Sequence, residues 1–293
     1  MIRTAVRWAE FVKLSHTVFA MPFALASMAV AARETRGWPG WRLFGLILGA
    51  LVCARTCAMS FNRIVDRKFD GANPRTSMRH LPAGSIPLSS AIALWVLSGI
   101  GLMVVSRFIN PVCFRLSPVA LLIICFYSLT KRFTDYTHVY LGVALALAPI
   151  GAWLAVRSSL DVLPVVLALA VVFWLIGFDI IYATQDYEFD RAHGLHSLAV
   201  RYGIKNALGL AFLSHLATWV LLLAFGLLAR FRLAYQIGLL IILASLVFEH
   251  WLARKRSLKW INLAFFRLNA LISLVFLICT SAEVVFPGFR IVR

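Results

Sequence analysis

The segment 162–181 reads VLPVVLALAVVFWLIGFDII and carries one charge, Asp179, near its end. A helix of about 20 mostly apolar residues is long enough to cross the hydrocarbon core of a bilayer. The segment therefore predicts a membrane-spanning helix, with an acidic residue close to one membrane surface.

The composition of the whole chain supports the same interpretation. Of 293 residues, 61% are hydrophobic and 14% are charged, whereas a soluble domain is about half apolar and about a quarter charged. The net charge of +17 is compatible with nucleic-acid binding, but the chain has too little polar surface for a soluble basic protein. Disorder requires the opposite composition. We expect an integral membrane protein in contact with the lipid bilayer and without a nucleic-acid partner.

Nine apolar runs can be read along the chain, which predicts an all-α polytopic fold with about nine transmembrane helices in one domain, residues 1–293. The runs lie at 15–32, 43–61, 88–106, 117–130, 138–156, 162–181, 207–229, 235–252 and 261–286. The fourth run is short for a span.

The basic residues indicate the orientation of these helices. The segments on the side of the N-terminus hold 17 of the 29 Lys and Arg residues, those on the other side hold 10, and Arg55 and Arg267 lie inside apolar runs. Because basic loops stay in the cytoplasm, the N-terminus and the segments on its side are expected there.

Acidic residues are scarce, and half of the 12 lie at the ends of the second and sixth runs. Asn62, Asp66 and Asp70 are spaced four residues apart, so they share one helix face. Arg55 precedes Asn62 by seven residues on that face, inside the apolar run. An arginine within the membrane is costly and is by default functional or paired, so we expect Arg55 in a substrate cavity.

The second acidic segment repeats the pattern. Asp186 and Asp190 are four residues apart, and Asp179 precedes Asp186 by seven, which predicts one helix face. Four runs separate the two acidic segments, and an even number of crossings returns the chain to the same membrane face.

Two carboxylate pairs facing one cavity form a site for a hard divalent cation. Mg²⁺ prefers oxygen ligands and usually binds one or two carboxylates together with substrate phosphates. We expect Mg²⁺ at Asp66, Asp70, Asp186 and Asp190, with Asn62 as a further ligand or hydrogen-bond donor. Basic residues near the motifs could bind a diphosphate: Arg75, Arg79, Lys131 and Arg132.

The motifs Asn62-x3-Asp66-x3-Asp70 and Asp186-x3-Asp190 resemble those of the UbiA family of intramembrane aromatic prenyltransferases. The stretches 13–23, 73–76, 81–84, 127–132 and 193–203 resemble the same family. The resemblance implies nine helices around a central cavity and a Mg²⁺-dependent site at the cytoplasmic surface of the bacterial inner membrane. It also implies a polyprenyl diphosphate donor and an aromatic acceptor in ubiquinone or menaquinone biosynthesis.

Within this family, the chain most resembles the 4-hydroxybenzoate polyprenyltransferase branch, which makes 4-hydroxybenzoate the expected acceptor. A different acceptor of a futalosine-type menaquinone route is the alternative, because Arg63 stands where that family often has Asp. The resemblance implies catalytic roles for the four motif aspartates. Asp179 or Tyr182 would orient the acceptor or take its proton, and Tyr127 belongs to the substrate-binding stretch.

Two other classes of protein share some of these features. A secondary transporter would place its acidic residues near the membrane midplane on broken helices, whereas these pairs lie at helix ends. A CDP-alcohol phosphotransferase also uses spaced aspartates, but its pattern only partly matches residues 70–75.

Overall fold

The computed structural model of the chain describes residues 2–13, 17–254 and 264–286. Within these ranges the chain forms eleven α-helices and no strand, which confirms the all-α prediction. The helices are α1 Ile2–Phe11, α2 Thr17–Ala31, α3 Trp41–Ala72, α4 Leu88–Ile109, α5 Pro111–Thr130, α6 Thr137–Arg157, α7 Val162–Ala183, α8 Tyr187–Ala192, α9 Leu198–Leu228, α10 Leu233–Ala253 and α11 Asn269–Val285.

The protein is an integral membrane protein. In the described ranges, eight helices are long and apolar enough to cross a membrane, and Phe19–Ala31 is a shorter apolar helix. These nine helices coincide with the nine predicted runs, although residues 15–16 of the first run and 261–263 of the last lie outside the described residues. Large apolar side chains such as Leu97, Leu122 and Ile278 are exposed on the outer helix faces, where lipid would cover them.

Two helices extend beyond the apolar runs that predict them. The second run ends at residue 61, and α3 continues to Ala72, as the helix face shared by Asn62, Asp66 and Asp70 requires. Its 32 residues span about 48 Å, more than the ~30 Å hydrocarbon core, so its last turns project beyond it. The fourth run begins at residue 117, but its helix, α5, begins at Pro111. The Asn110 side chain caps this helix by accepting a hydrogen bond from the Cys113 backbone N–H.

The second acidic segment is helical, as its spacing predicts, but a short turn interrupts the helix. α7 ends at Ala183, and a single tight turn, Thr184–Asp186, leads into α8. α9 begins before the seventh run, because its first turns carry Arg201 and Lys205 and are therefore not apolar. Gly203, with φ +75°, interrupts the helix in these turns.

The helices surround a central cavity lined by residues of α2 to α8 and the loops between them. α6 packs against α2, α5 and α7, while α3 packs against α4 and α5. On the far side of α2 and α7, the helices α9, α10 and α11 complete a dense apolar core that includes Trp174, Phe225 and Phe276. The cavity therefore lies to one side of this core.

The loop 73–87 between α3 and α4 is held against the bundle by α1. Phe11 of α1 and Val12 directly after it pack with Ile86 and Ala91, and the Arg7 guanidinium donates to the Ser85 carbonyl at 3.2 Å. This contact fixes the loop over the end of α3, where the first acidic motif lies.

Candidate active site

The central cavity has a volume of about 590 Å³, and one of its ends is strongly charged. We call this the acidic end; it is defined by Asp66, Asp70, Asp186 and Asp190, which all line the cavity. The two acidic segments, more than 110 residues apart in sequence, thus meet at one place.

Asp66 is buried and contacts three partners. The Asn62 side-chain amide, one helical turn earlier on α3, donates to Asp66 Oδ2 at 3.0 Å. Lys131 Nζ lies 3.3 Å from Oδ2, and Arg132 Nη2 lies 3.1 Å from Oδ1. Arg132 also donates to the Val65 carbonyl at 2.8 Å and does not line the cavity. Lys131 therefore faces the cavity, whereas Arg132 supports Asp66 from outside it.

Asp70, one turn further along α3, is buried between two arginines. Arg79 Nη1 donates to Oδ1 at 2.7 Å, and Arg63 Nη1 lies 3.8 Å from Oδ2. Among the described residues, Oδ2 has no hydrogen-bond partner. The Thr76 hydroxyl donates to the Asp70 carbonyl at 3.0 Å, which folds the loop back onto the helix end.

Asp186 is bound by the loop after α3. The Asn73 side-chain amide donates to Oδ1 at 3.0 Å, Arg75 Nε donates to the same atom at 2.8 Å, and Arg75 Nη2 contacts Oδ2. Arg75 Nη1 donates to the Tyr182 hydroxyl oxygen at 2.8 Å. Burial lowers the pKa of Arg75, but the hydrogen bonds that its guanidinium donates to Asp186 and Tyr182 outweigh burial and raise the pKa overall. Arg75 thus stays charged and joins the two acidic segments.

Asp190 and Asp179 complete the acidic lining. The Asp190 carboxylate forms no hydrogen bond or ion pair with the other described residues, although it borders the cavity. Asp179 Oδ2 lies 2.6 Å from His138 Nδ1 of α6. His138 is buried, and its Nε2 has no hydrogen-bond partner among the described residues. Its imidazole therefore hydrogen-bonds to Asp179 through Nδ1 alone.

Arg55 and Tyr127 line the cavity further from the acidic end, as the Arg55 phase on α3 predicts. Arg55 Nη2 donates to the Lys13 carbonyl at 3.4 Å. Its Nε is buried and has no hydrogen-bond partner among the described residues. A buried guanidinium N–H of this kind is suited to an anionic group of a ligand.

The remaining lining separates by chemistry along the cavity. Six aromatic rings line it, and all belong to the half nearer the acidic end: Phe19, Phe69, Tyr127, Phe178, Tyr182 and Phe189. That half also contains the six basic lining residues, Lys13, Arg55, Arg63, Arg75, Arg79 and Lys131. The other half, which we call the aliphatic half, is mainly aliphatic, with Ser106, Cys113 and Ser117 also in its lining.

Three residues of the site were not predicted as functional. Asn73 was named only as part of the stretch 73–76, Arg63 only as a departure from a motif, and His138 not at all. Two signals were available, because Arg63 precedes Asp70 by seven residues on one helix face and His138 is an ionisable residue at the start of an apolar run. No local signal indicates that Asn73 reaches Asp186.

The donor set at the acidic end fits a magnesium ion that is bound together with phosphate. The described residues contain no cluster of three or more acidic, His or Cys side chains arranged for a metal alone. Mg²⁺ does not need one, since one or two carboxylates with water and phosphate oxygens satisfy it. Asp70 Oδ2, which accepts no hydrogen bond from the described residues, and the Asp190 carboxylate are oxygens available for such an ion.

Comparison with known proteins gives one family. The model of the UbiA prenyltransferase family matches residues 20–271. A 4-hydroxybenzoate octaprenyltransferase of Tolumonas auensis is 32% identical, over 75% of this chain and 77% of its own length. The 4-hydroxybenzoate octaprenyltransferase of Vibrio vulnificus is 30% identical, over 84% of this chain and 85% of its own length.

Solved structures show the same fold. A UbiA homolog from Aeropyrum pernix has a TM-score of 0.80 and 27% identity, over 89% of this chain and 95% of that one. A UbiA homolog from Archaeoglobus fulgidus bound to DMAPP and Mg²⁺ has a TM-score of 0.71 and 20% identity, over 94% of this chain and 99% of that one.

The acidic end predicts that Mg²⁺ and inorganic pyrophosphate stabilise the purified protein together more than either does alone. A ligand present at about 100 times its Kd stabilises by about 2.7 kcal/mol, which corresponds to a rise in Tm of about 5 °C for a domain of this size. Thermal unfolding in detergent measures the shift, and the double variant Asp66→Asn/Asp186→Asn should abolish it.

Asp135→Asn is the matched control, since Asp135 also pairs with basic residues, His196 at 2.9 Å and Arg201 at 3.0 Å, but does not line the cavity. An equal loss of the shift in this control would argue against binding at the acidic end.

Proposed function

The chain belongs to the UbiA prenyltransferase family, and on that premise we propose that it transfers a polyprenyl group from a polyprenyl diphosphate to 4-hydroxybenzoate. The observation that carries the proposal is the convergence of both acidic segments with Lys131, Arg75 and Arg79 at one end of an otherwise apolar cavity. A diphosphate suits the charged end, and a polyprenyl tail suits the apolar remainder. The names of the curated relatives support the reaction.

The residues of the acidic end bind the donor headgroup and stabilise its departure. Mg²⁺ held there by Asp66, Asp70, Asp186 and Asp190, with Asn62 beside them, would supply positive charge to the leaving diphosphate. Lys131, Arg75 and Arg79 donate hydrogen bonds to the remaining phosphate oxygens. Each of these bases is paired with a carboxylate, so it is held in position before the donor binds.

The bond between the first prenyl carbon and the diphosphate oxygen breaks, and its electron pair leaves with the diphosphate. The aromatic faces near the acidic end, such as Tyr127, Phe178 and Phe189, stabilise the allylic cation. The apolar lining excludes water, which would otherwise hydrolyse the cation.

Asp179 and Arg55 orient the aromatic acceptor. Asp179, bound to His138, accepts a hydrogen bond from the phenol and increases electron density on the ring. The ring carbon next to the hydroxyl forms the new C–C bond, because the carboxylate occupies the opposite position. Asp179 then takes the proton from this carbon, which restores aromaticity. We assign the acceptor carboxylate to Arg55. Tyr182, whose oxygen accepts from Arg75, positions that arginine.

The geometry favours this enzyme over a transporter. The acidic pairs lie at helix ends on one membrane face, whereas coupling acids of transporters lie near the midplane. A different aromatic acceptor of a menaquinone route remains the alternative, and the same transfer assay with other phenolic acids decides between the acceptors.

We propose that the acidic end faces the cytoplasm of a bacterial inner membrane. The loops on that face carry most of the basic residues, as the positive-inside rule requires. Alkaline phosphatase, which is active only outside the cytoplasm, should be inactive when fused after Asp135 and active when fused after Ser159. The reverse pattern would contradict this orientation.

Replacing one motif aspartate in either acidic segment should nearly abolish prenyl transfer. Asp66→Ala and Asp186→Ala should each lower kcat by about 100-fold or more, as is usual for removing one group that stabilises developing charge. Formation of prenylated 4-hydroxybenzoate from octaprenyl diphosphate measures this loss. Asp135→Ala, the matched control outside the cavity, should keep near-normal kcat; near-normal kcat in Asp66→Ala or Asp186→Ala would refute the metal assignment.

The assignment of Arg55 predicts selectivity between acceptors. Arg55→Gln should raise KM for 4-hydroxybenzoate by about tenfold or more, because a charge-assisted hydrogen bond to the carboxylate is lost. KM for 4-hydroxybenzamide, which has no carboxylate, should change little. Equal increases for both acceptors would mean that Arg55 does not bind the carboxylate.

A further inference from the structure

The aliphatic half of the cavity extends far from the acidic end. On α3 the lining continues from Asp66 back to Ile47, 19 residues away, which is about 28 Å along a helix axis. The aromatic lining residues lie outside this deeper half. Its width therefore depends on aliphatic and small side chains.

α6 presents its small residues to this half of the cavity. The lining residues with the smallest side chains on α6 recur on one helix face: Ala144, Ala148, Gly151, Ala152 and Ala155. Gly151 lies 13 residues beyond His138, about 20 Å deeper along the helix. Gly151 therefore lies deeper in the cavity than the sites proposed for the diphosphate headgroup and the aromatic acceptor.

Packing does not explain a glycine at this position. A Cβ atom added to Gly151 would meet no heavy atom within 4 Å beyond the neighbouring turns of its own helix, and the residue is exposed to the cavity. Gly142 on the same helix differs, since its added Cβ would lie 2.9 Å from the Val172 carbonyl oxygen of α7. Glycine inside a helix destabilises it relative to alanine. Gly151 therefore lowers the stability of α6 and leaves open space in the cavity.

We propose that Gly151 determines the length of the prenyl chain that the cavity accepts, an inference that rests on the proposed transfer reaction. A long polyprenyl tail passes the open space beside Gly151, whereas a short tail ends before it. A large side chain at residue 151 narrows the cavity at that depth and excludes long donors selectively.

The test compares geranyl and octaprenyl diphosphate as donors to 4-hydroxybenzoate. Gly151→Phe should lower kcat/KM for octaprenyl diphosphate by about tenfold or more and leave kcat/KM for geranyl diphosphate within about twofold. Gly151→Leu should give a smaller shift in the same direction, and it keeps the test available if the Phe variant does not fold.

Gly209→Phe on α9 is the matched control. Gly209 is exposed, has no heavy atom within 4 Å of an added Cβ, and does not line the cavity; the ratio between the two donors should therefore not change. An unchanged ratio in folded Gly151 variants would overturn this inference while leaving the transfer reaction intact. Failure of the wild-type protein to use either donor would refute the proposed function itself, and with it this inference.

Discussion

Carboxylates at the end of an apolar helix bundle need compensating charge, because an unpaired buried charge is strongly unfavourable. Each of three aspartates here has a basic partner from another part of the chain. Lys131 and Arg132 from the end of α5 contact Asp66, Arg79 from the loop contacts Asp70, and Arg75 contacts Asp186. These pairs hold α3, the loop after it and the segment after α7 together, so the charges that bind the ligand also fix the shape of the site.

The same arrangement gives the cavity two ends with different chemistry. The charged and aromatic half suits a metal–diphosphate group and a reactive cation, while the aliphatic half suits a hydrocarbon chain. α3 connects them, since it carries Asp66 and Asp70 at one end and Ile47 deep in the cavity. An enzyme that joins a prenyl tail to an aromatic acceptor needs both environments next to each other.

Local pattern predicted much of this structure and failed where contacts between distant residues decide it. The apolar runs predict the spans, and the four-residue spacing places Asn62, Asp66 and Asp70 on one face of α3, because both depend on helix geometry alone. The spacing of Asp179 and Asp186 places both residues on the cavity, although a short turn follows Ala183. It gives no sign that Asp186 meets Arg75, 111 residues away. Asn73 joins the same carboxylate only because the loop folds back.

An experimental structure with Mg²⁺ and a non-hydrolysable prenyl thiolodiphosphate tests the central claim most directly. We predict the diphosphate at the acidic end, with at least one Mg²⁺ about 2.0–2.1 Å from a carboxylate oxygen of each acidic segment, and the tail beside α6. A diphosphate bound elsewhere, or metal ions that contact only one acidic segment, would contradict the account.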